Sequence, residues 1–373
     1  MKIPFHKFIS DRESHSNVSD VLDGENINQV QKLQEEFCEY IGCKYAHATS
    51  HGSSAIHLAM LALELKRGDK VVCSVNAHPS IPESVRHFDA EPVFIDIDED
   101  SYNINLDLLE EYLKENKSKK LKAVVVTHIA GVSVDLDRLY NMGKTYNVKI
   151  VEDASDALGA TFNGQKIGSI GADLVCFNFS PHMKNNICNG GMLVSDDEDL
   201  MAKARLLSNH AIVKNENALE YIYDVVDIGN DYSMSELEAA YIRAQLKQQD
   251  GFITKQKEIA KLYNEKLQNV ENLEIPKELN SEMPYSLYIV RVHKNRDSFA
   301  AKLQEEGVYT ALHYIPLHLL TYYKTKYNLR VNDFPVALRT YQQTLSLPIY
   351  PTMTQKEVEF VAKTIQKVLT PRG

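Results

Sequence analysis

The sequence predicts an α/β protein in which residues 1–245 form a large domain, with a mostly parallel sheet between helices, and residues 246–373 form a smaller α+β domain. Two observations carry this. Short, continuously apolar runs alternate with helical patterns from about residue 50 to 245, as expected of parallel strands buried on both faces. Beyond residue 250 the texture changes to two helical runs, a loop rich in Pro and Asn, one strand and a C-terminal amphipathic helix.

The elements follow in order. Ser54–Leu63 reads as a helix with Gly52 and Ser53 before it, and Lys70–Cys73 and Pro92–Asp96 as short strands. Leu121–Thr127 and Val148–Glu152 are two more strands, with the helical stretch Asp135–Tyr146 between them. Asp173–Asn178 and Gly191–Ser195 complete the apolar set. Helical patterns then cover Ser235–Asp250 and Ile253–Gln268, and the loop near Pro276–Pro284 precedes a strand at Leu287–Val292. Arg296–Glu306 and Lys356–Val368 read as the last helices.

Composition narrows the function classes. A chain of 373 residues with 44% hydrophobic and 25% charged residues is an ordinary globular protein. A net charge of −10 speaks against a nucleic-acid binder, which carries a basic surplus or stripe. The five cysteines (Cys38, Cys43, Cys73, Cys176, Cys188) are odd in number and none has C-x-x-C spacing, so neither a disulfide framework nor a zinc site is expected. No apolar run suits a signal peptide or a membrane span, and the chain reads as cytoplasmic.

Two places stand out chemically. Gly52-Ser53-Ser54 ahead of a helix offers backbone N–H groups and hydroxyls to a phosphate, though a plain capped helix start gives the same residues. Asp153, in Val151-Glu152-Asp153, closes an apolar strand at its carboxyl end, where ligands of open α/β sheets bind; a helix or turn cap is the plainer reading.

Together these segments resemble the DegT/StrS-type sugar-nucleotide aminotransferases, which are fold-type I pyridoxal phosphate (PLP) enzymes. The resemblance runs over nearly the whole chain. It is carried by Ser50–Leu58, Pro92–Asp98 with Tyr102-Asn103-Ile104, Val151–Gly159, Gly168–Gly171, Gly229–Ala240, His313–His318 and Leu345–Pro351. The family resemblance implies a homodimer with active sites at the interface and a nucleotide-sugar substrate. It implies that Asp153 pairs with the pyridine nitrogen, that Gly52 and Ser53 contact the phosphate, and that His313, Tyr314 and His318 line the sugar side.

The same resemblance exposes departures. In Phe177-Asn178-Phe179-Ser180-Pro181-His182-Met183-Lys184, the place of the Schiff-base lysine falls to Met183, with Lys184 one residue late. A thioether neither forms an imine nor shuttles a proton. Asn178 stands for a phosphate-binding serine, His78 for a stacking aromatic ring, and Asp156 for a Gln or His beside the ring's phenolate. Asp231 replaces an asparagine that the partner subunit offers to the phosphate, and Ser233 a nearby basic residue. Four readings stand. The first is transamination through PLP and its amine form PMP, with Lys184 shifted into place. The second is PMP-dependent removal of a sugar 3-hydroxyl, with His182 near the key position. The third is a silent subunit that binds a nucleotide sugar or completes a partner's site, and the fourth is PLP-independent sugar chemistry.

Overall fold

The computed structural model describes residues 1–180, 186–214, 219, 221–277, 279 and 282–370. Two helices come first, α1 (Arg12–Leu22) and α2 (Gln29–Ile41). Asp11 caps α1 by accepting the Ser14 N–H at 2.8 Å, and Gly42, left-handed at φ 90°, stops α2. There follow β1 (Tyr45–Thr49), α3 (Gly52–Ala62), β2 (Lys70–Ser74), α4 (Ser80–Arg86) and β3 (Glu91–Ile95). Next are α5 (Leu106–Glu115), β4 (Leu121–Thr127), α6 (Leu136–Tyr146) and β5 (Lys149–Asp153). A small ribbon of β6 (Thr161–Phe162) and β7 (Gln165–Lys166) precedes β8 (Leu174–Asn178), β9 (Gly191–Ser195) and α7 (Glu198–Leu207).

Seven of these strands form one sheet in the order β1-β9-β8-β5-β4-β2-β3. Every pairing is parallel except the two made by β9, which runs against both β8 and β1. Strand periodicity splits the core between two faces. Val124 and Val126 of β4 pack with α2, α5, α6 and α8 (Glu236–Lys247), whereas Ala123 and Val125 pack with α3, α4 and α7. The carboxyl ends of the parallel strands therefore emerge along one edge, where Thr49, Thr127, Asp153 and Asn178 are the terminal residues.

Between the sheet and the C-terminal part, β10 (Ile212–Lys214) and β11 (Tyr223–Val225) make an antiparallel ribbon. The helical pattern expected over Ser235–Asp250 and Ile253–Gln268 is real, but the break falls at Gln248, between α8 and α9 (Gln249–Leu267). A three-stranded sheet of β12 (Leu273–Glu274), β13 (Tyr288–Val292) and β14 (Thr344–Leu347) follows. It packs with α9, α10 (Arg296–Glu305) and α13 (Gln355–Leu369) in a separate apolar cluster that also takes in Ile3 from the chain start. The connecting helices α11 (Thr321–Lys326) and α12 (Pro335–Gln343) turn back instead, placing Tyr323 and Ala337 in the core of the large sheet. No helix among the described residues is long and apolar enough to cross a membrane.

Candidate active site

The carboxyl edge of the sheet gathers most of the residues singled out in the sequence. Asp153 ends β5 rather than following it, and its side chain is almost wholly buried. Its Oδ1 accepts hydrogen bonds from the Ser155 N–H at 3.1 Å and the Ser155 hydroxyl at 2.5 Å. Its Oδ2 has the Thr127 hydroxyl at 3.5 Å, a contact too long to satisfy a carboxylate. Burial pushes the Asp153 carboxyl above the ordinary aspartate range, the Ser155 bonds oppose this, and the nearby Asp156 adds to it.

Asp156 lies just beyond, on the turn that follows β5. Its Oδ2 accepts the Ala130 N–H at 3.3 Å, and its backbone carbonyl takes the Ser286 hydroxyl at 2.7 Å. Ala130 presents that N–H from a left-handed backbone conformation, φ 57°, which an alanine adopts only when its surroundings force it. Tyr314 reaches the same place from the C-terminal part: its N–H donates to Asn76 Oδ1 at 3.1 Å. Burial and the charges of Asp156 and Asp153 push its phenol pKa well above normal.

His78 is exposed at the mouth of this cluster. Its Nδ1 accepts the Ser80 N–H at 3.2 Å and meets the Ser80 hydroxyl at 2.9 Å, and its ring stands edge-on to Tyr314 at 5.9 Å. His313 stacks on Phe5, with centroids 5.7 Å apart, and its Nδ1 bonds the Ser346 hydroxyl at 2.8 Å. Burial pushes its imidazole down to about 4, so it is neutral at physiological pH.

The opposite end of the cleft is the start of α3. His51 at the N-cap makes no side-chain capping bond, which leaves first-turn N–H groups for another acceptor. Gly52 is needed there because Asn178, at the end of β8, lies against it: a Cβ on Gly52 would sit 2.5 Å from Asn178 Cβ. Asn178 itself uses Oδ1 to accept the Ser180 N–H at 3.0 Å. Ser53 is exposed beside it. Asp231 is exposed too, and the Ser233 hydroxyl, together with the Ser233 N–H donating at 2.9 Å, holds its carboxyl below the usual range. The neighbouring Tyr232 carbonyl accepts the Ser50 N–H at 2.8 Å, so this loop runs alongside the α3 start.

One expectation needs correcting. His318 was expected on the ligand side, yet it has no exposed surface; its ring packs on Phe334 and its Nε2 bonds the Val331 carbonyl. The cause is local: Leu317 is tied to the Val75 carbonyl and is itself core, so the turn drives His318 inward. His182, Met183 and Lys184 lie outside the described residues. Sequence reasoning passed over Asn76, which bridges Tyr314 and the Tyr102 carbonyl, and the fully buried His128–Glu152 pair behind Asp153. Among the described residues no group of three His, Cys, Asp or Glu is placed to hold a metal ion.

The donor set fits pyridoxal phosphate at both ends. A buried carboxylate with one loosely held oxygen suits a protonated ring nitrogen, and the uncapped start of α3 beside a close-approach glycine suits a phosphate.

The chain is 30% identical over 383 residues to the spore coat polysaccharide biosynthesis protein SpsC of Bacillus subtilis, covering 98% of this chain and 97% of that one. It is 31% identical over 348 residues to a UDP-4-amino-4,6-dideoxy-N-acetyl-beta-L-altrosamine transaminase of Campylobacter jejuni, covering 91% and 90%. Among solved structures, the aminotransferase TlmJ from Streptoalloteichus hindustanus superposes with a TM-score of 0.90 at 25% identity, over 99% of both chains. Residues 9–366 match the profile of the DegT/DnrJ/EryC1/StrS aminotransferases, and the chain belongs to that family.

Proposed function

We propose that the chain moves an amino group onto a keto-sugar nucleotide, using pyridoxal phosphate or its pyridoxamine form, in the building of a polysaccharide or deoxysugar. The observation that carries this reading is Asp153, a buried carboxylate at a strand end with one weakly engaged oxygen. When bound, the cofactor supplies an electron-accepting ring and the carbonyl or amine that carries nitrogen. Asp153 holds the proton on the ring nitrogen, and a low-dielectric surrounding strengthens that pairing. Gly52, Ser53 and the first turn of α3 hold the phosphate, with Asn178 bracing Gly52. His78 offers an aromatic face to the ring, and Asp156 takes the position beside the phenolate oxygen.

Lys184 is assigned the proton transfers at the reacting carbon, because Met183 has no group that binds or releases a proton. Next to Asp156 lies a cavity lined by Phe5, Phe179, Asn186, Gln245, Gln249 and Ser286. None of its lining residues among the described ones is Asp, Glu, Lys or Arg, which suits a neutral, hydroxyl-bearing sugar ring. The names of the relatives, one a nucleotide-sugar transaminase and one a polysaccharide biosynthesis protein, support the same substrate class. His313 and Tyr314 border this side. A homodimer in the cytoplasm, with Asp231 turned towards the partner's phosphate site, completes the reading.

Met183 also favours a second reading, in which the amine form of the cofactor is held without any covalent link. The sugar then loses its 3-hydroxyl with His182 as the proton donor, or the chain serves as a silent subunit. Borohydride reduction in the presence of pyridoxal phosphate, followed by peptide mass spectrometry, separates these. An adduct on Lys184 supports amino transfer. Saturable binding of pyridoxamine phosphate without an adduct supports the second reading, and binding of neither form sinks both.

A further inference from the structure

Asn103 lies in Tyr102-Asn103-Ile104, between β3 and α5, and is almost wholly buried. Its side chain spans a turn of another loop. Oδ1 accepts the Ile129 N–H at 2.9 Å, and Nδ2 donates to the Val132 carbonyl at 2.6 Å. Those two groups flank the short turn that follows β4. Within it the Gly131 N–H donates to the His128 carbonyl and the Val132 N–H to the Ile129 carbonyl, both at 3.0 Å. A side-chain amide offers a donor and an acceptor side by side for this; a carboxylate has no donor, and an apolar side chain has neither. The Tyr102 carbonyl in turn accepts Asn76 Nδ2 at 3.2 Å, which ties the segment to the loop after β2.

The turn holds Ala130 at φ 57° and ψ 14°, in the left-handed region that a Cβ disfavours. In this form the Ala130 N–H donates to Asp156 Oδ2 at 3.3 Å. Relaxation of Ala130 to a negative φ rotates the backbone here and takes that N–H out of line. The next residue is equally confined: Gly131 has φ 81°, and a Cβ on it would lie 2.4 Å from Pro284 Cδ and 2.9 Å from the Asp156 carbonyl oxygen. The two bonds from Asn103 act on either side of the strained residue and offset its cost.

We propose that Asn103 is the positioning residue for the Asp156 carboxylate. By clamping Ile129 and Val132 it keeps Ala130 in the left-handed form whose N–H binds Oδ2. A bond at that oxygen fixes the plane of the carboxylate and steadies its charge. The consequence for the cofactor rests on the function proposed above, in which Asp156 stands beside the phenolate oxygen of the ring. The clamp itself belongs to the chain alone.

The first measurement is amide hydrogen exchange resolved at Ala130, on the purified chain without cofactor. Exchange there should speed up by roughly 10-fold in Asp156→Ala and in Asn103→Ala, as for the loss of a hydrogen bond to a charged group. Adding Ala130→Gly to Asn103→Ala should restore part of the protection, because glycine takes positive φ at no steric cost. Asn103→Asp keeps the shape without the donor, and is read in the same way if the alanine variant fails to fold. The second measurement titrates each chain with pyridoxamine phosphate. Asn103→Ala should weaken binding by roughly 10-fold in the wild-type chain, but by less than about 2-fold when Asp156 is already alanine. A role in folding alone would weaken both equally. Ala130 exchange that Asn103→Ala leaves unchanged, or equal losses of affinity in both backgrounds, overturns the proposal. A wild-type chain that binds no pyridoxamine phosphate overturns the cofactor reading instead, and the exchange result then decides the clamp.

Discussion

Gly52 and Asn178 touch so closely that no side chain fits between them: a Cβ on Gly52 would lie 2.5 Å from Asn178 Cβ and 2.8 Å from its Oδ1. This joins the start of α3, where the phosphate is proposed to sit, to the end of β8. Gly52→Ala is expected to cost about 1–3 kcal/mol through overpacking and to weaken phosphate binding. Because the nearest atom is a Cβ, Asn178→Gly in the same chain should restore part of both. Thermal unfolding and a pyridoxal phosphate titration of the four members of the cycle check this. Strictly additive losses would show that the contact does not govern the site.

The burial of Asp153, which suits its proposed role in binding, costs stability. Its folded pKa is raised above the 3.8 of a free aspartate, so the folded chain holds that proton more tightly than the unfolded chain. The ionised form therefore destabilises the fold in full above the raised value, and not at all below 3.8. Asp153→Asn keeps the acceptor for Ser155 and removes the charge. It should raise stability at neutral pH by about 1–3 kcal/mol, with the gain shrinking as the pH falls through the raised pKa. Cofactor affinity should move the other way. Melting temperature against pH, beside a cofactor titration, tests both; a gain that persists at acid pH would contradict the burial argument.

The parallel core was legible because strands buried on both faces leave continuous apolar runs, and Asp153 stood out because it closes one of them. Other features were set by distance in space. The reversed direction of β9 has no mark in its own sequence, and the break at Gln248 has no Gly or Pro to announce it beforehand. β1, with the mixed sequence Tyr-Ala-His-Ala-Thr, gives a weak pattern, and α1 and α2 lie in a polar stretch. The bonds from Asn76 to Tyr314 and from His128 to Glu152 depend on which segments become neighbours. Resemblance located the segment holding His318 but not the direction of its side chain.

Arg291 and Arg339 share Glu99, and burial should make their contributions unequal. Arg291, on β13, is 11% exposed and bonds Glu99 at 2.9 Å and Glu274 at 2.9 Å, tying the small sheet to the loop after β3. Arg339 reaches the other Glu99 oxygen at 2.8 Å but is 50% exposed. Arg291→Met, which takes the buried guanidinium away while Glu99 keeps Arg339 and Glu274 keeps His293, is expected to cost about 1.5–3 kcal/mol with little salt dependence. Arg339→Met should cost about 0–1 kcal/mol, and even that should fade in high salt. Urea unfolding at low and high ionic strength distinguishes them, and equal losses would remove the burial argument.

The β10–β11 ribbon is the place where association should be tested. Its strands and flanks expose Tyr221 at 76%, Tyr223 at 60%, Val225 at 53% and Ile228 at 84%. Apolar surface gathered in this way marks an interface, since water contact with it is unfavourable in the free chain. Asp231 and Tyr232 follow directly, so whatever covers the ribbon also approaches the start of α3. Tyr221→Asp with Ile228→Asp should convert a dimer into a monomer in sedimentation velocity. The fold should survive, because both side chains lie outside the apolar cores. If two chains build each site, cofactor affinity should fall together with the dimer and recover where excess protein forces reassociation. A double variant that sediments as wild type would show that the second copy, if any, docks elsewhere; a monomer with undiminished cofactor affinity would show that one chain makes the whole site.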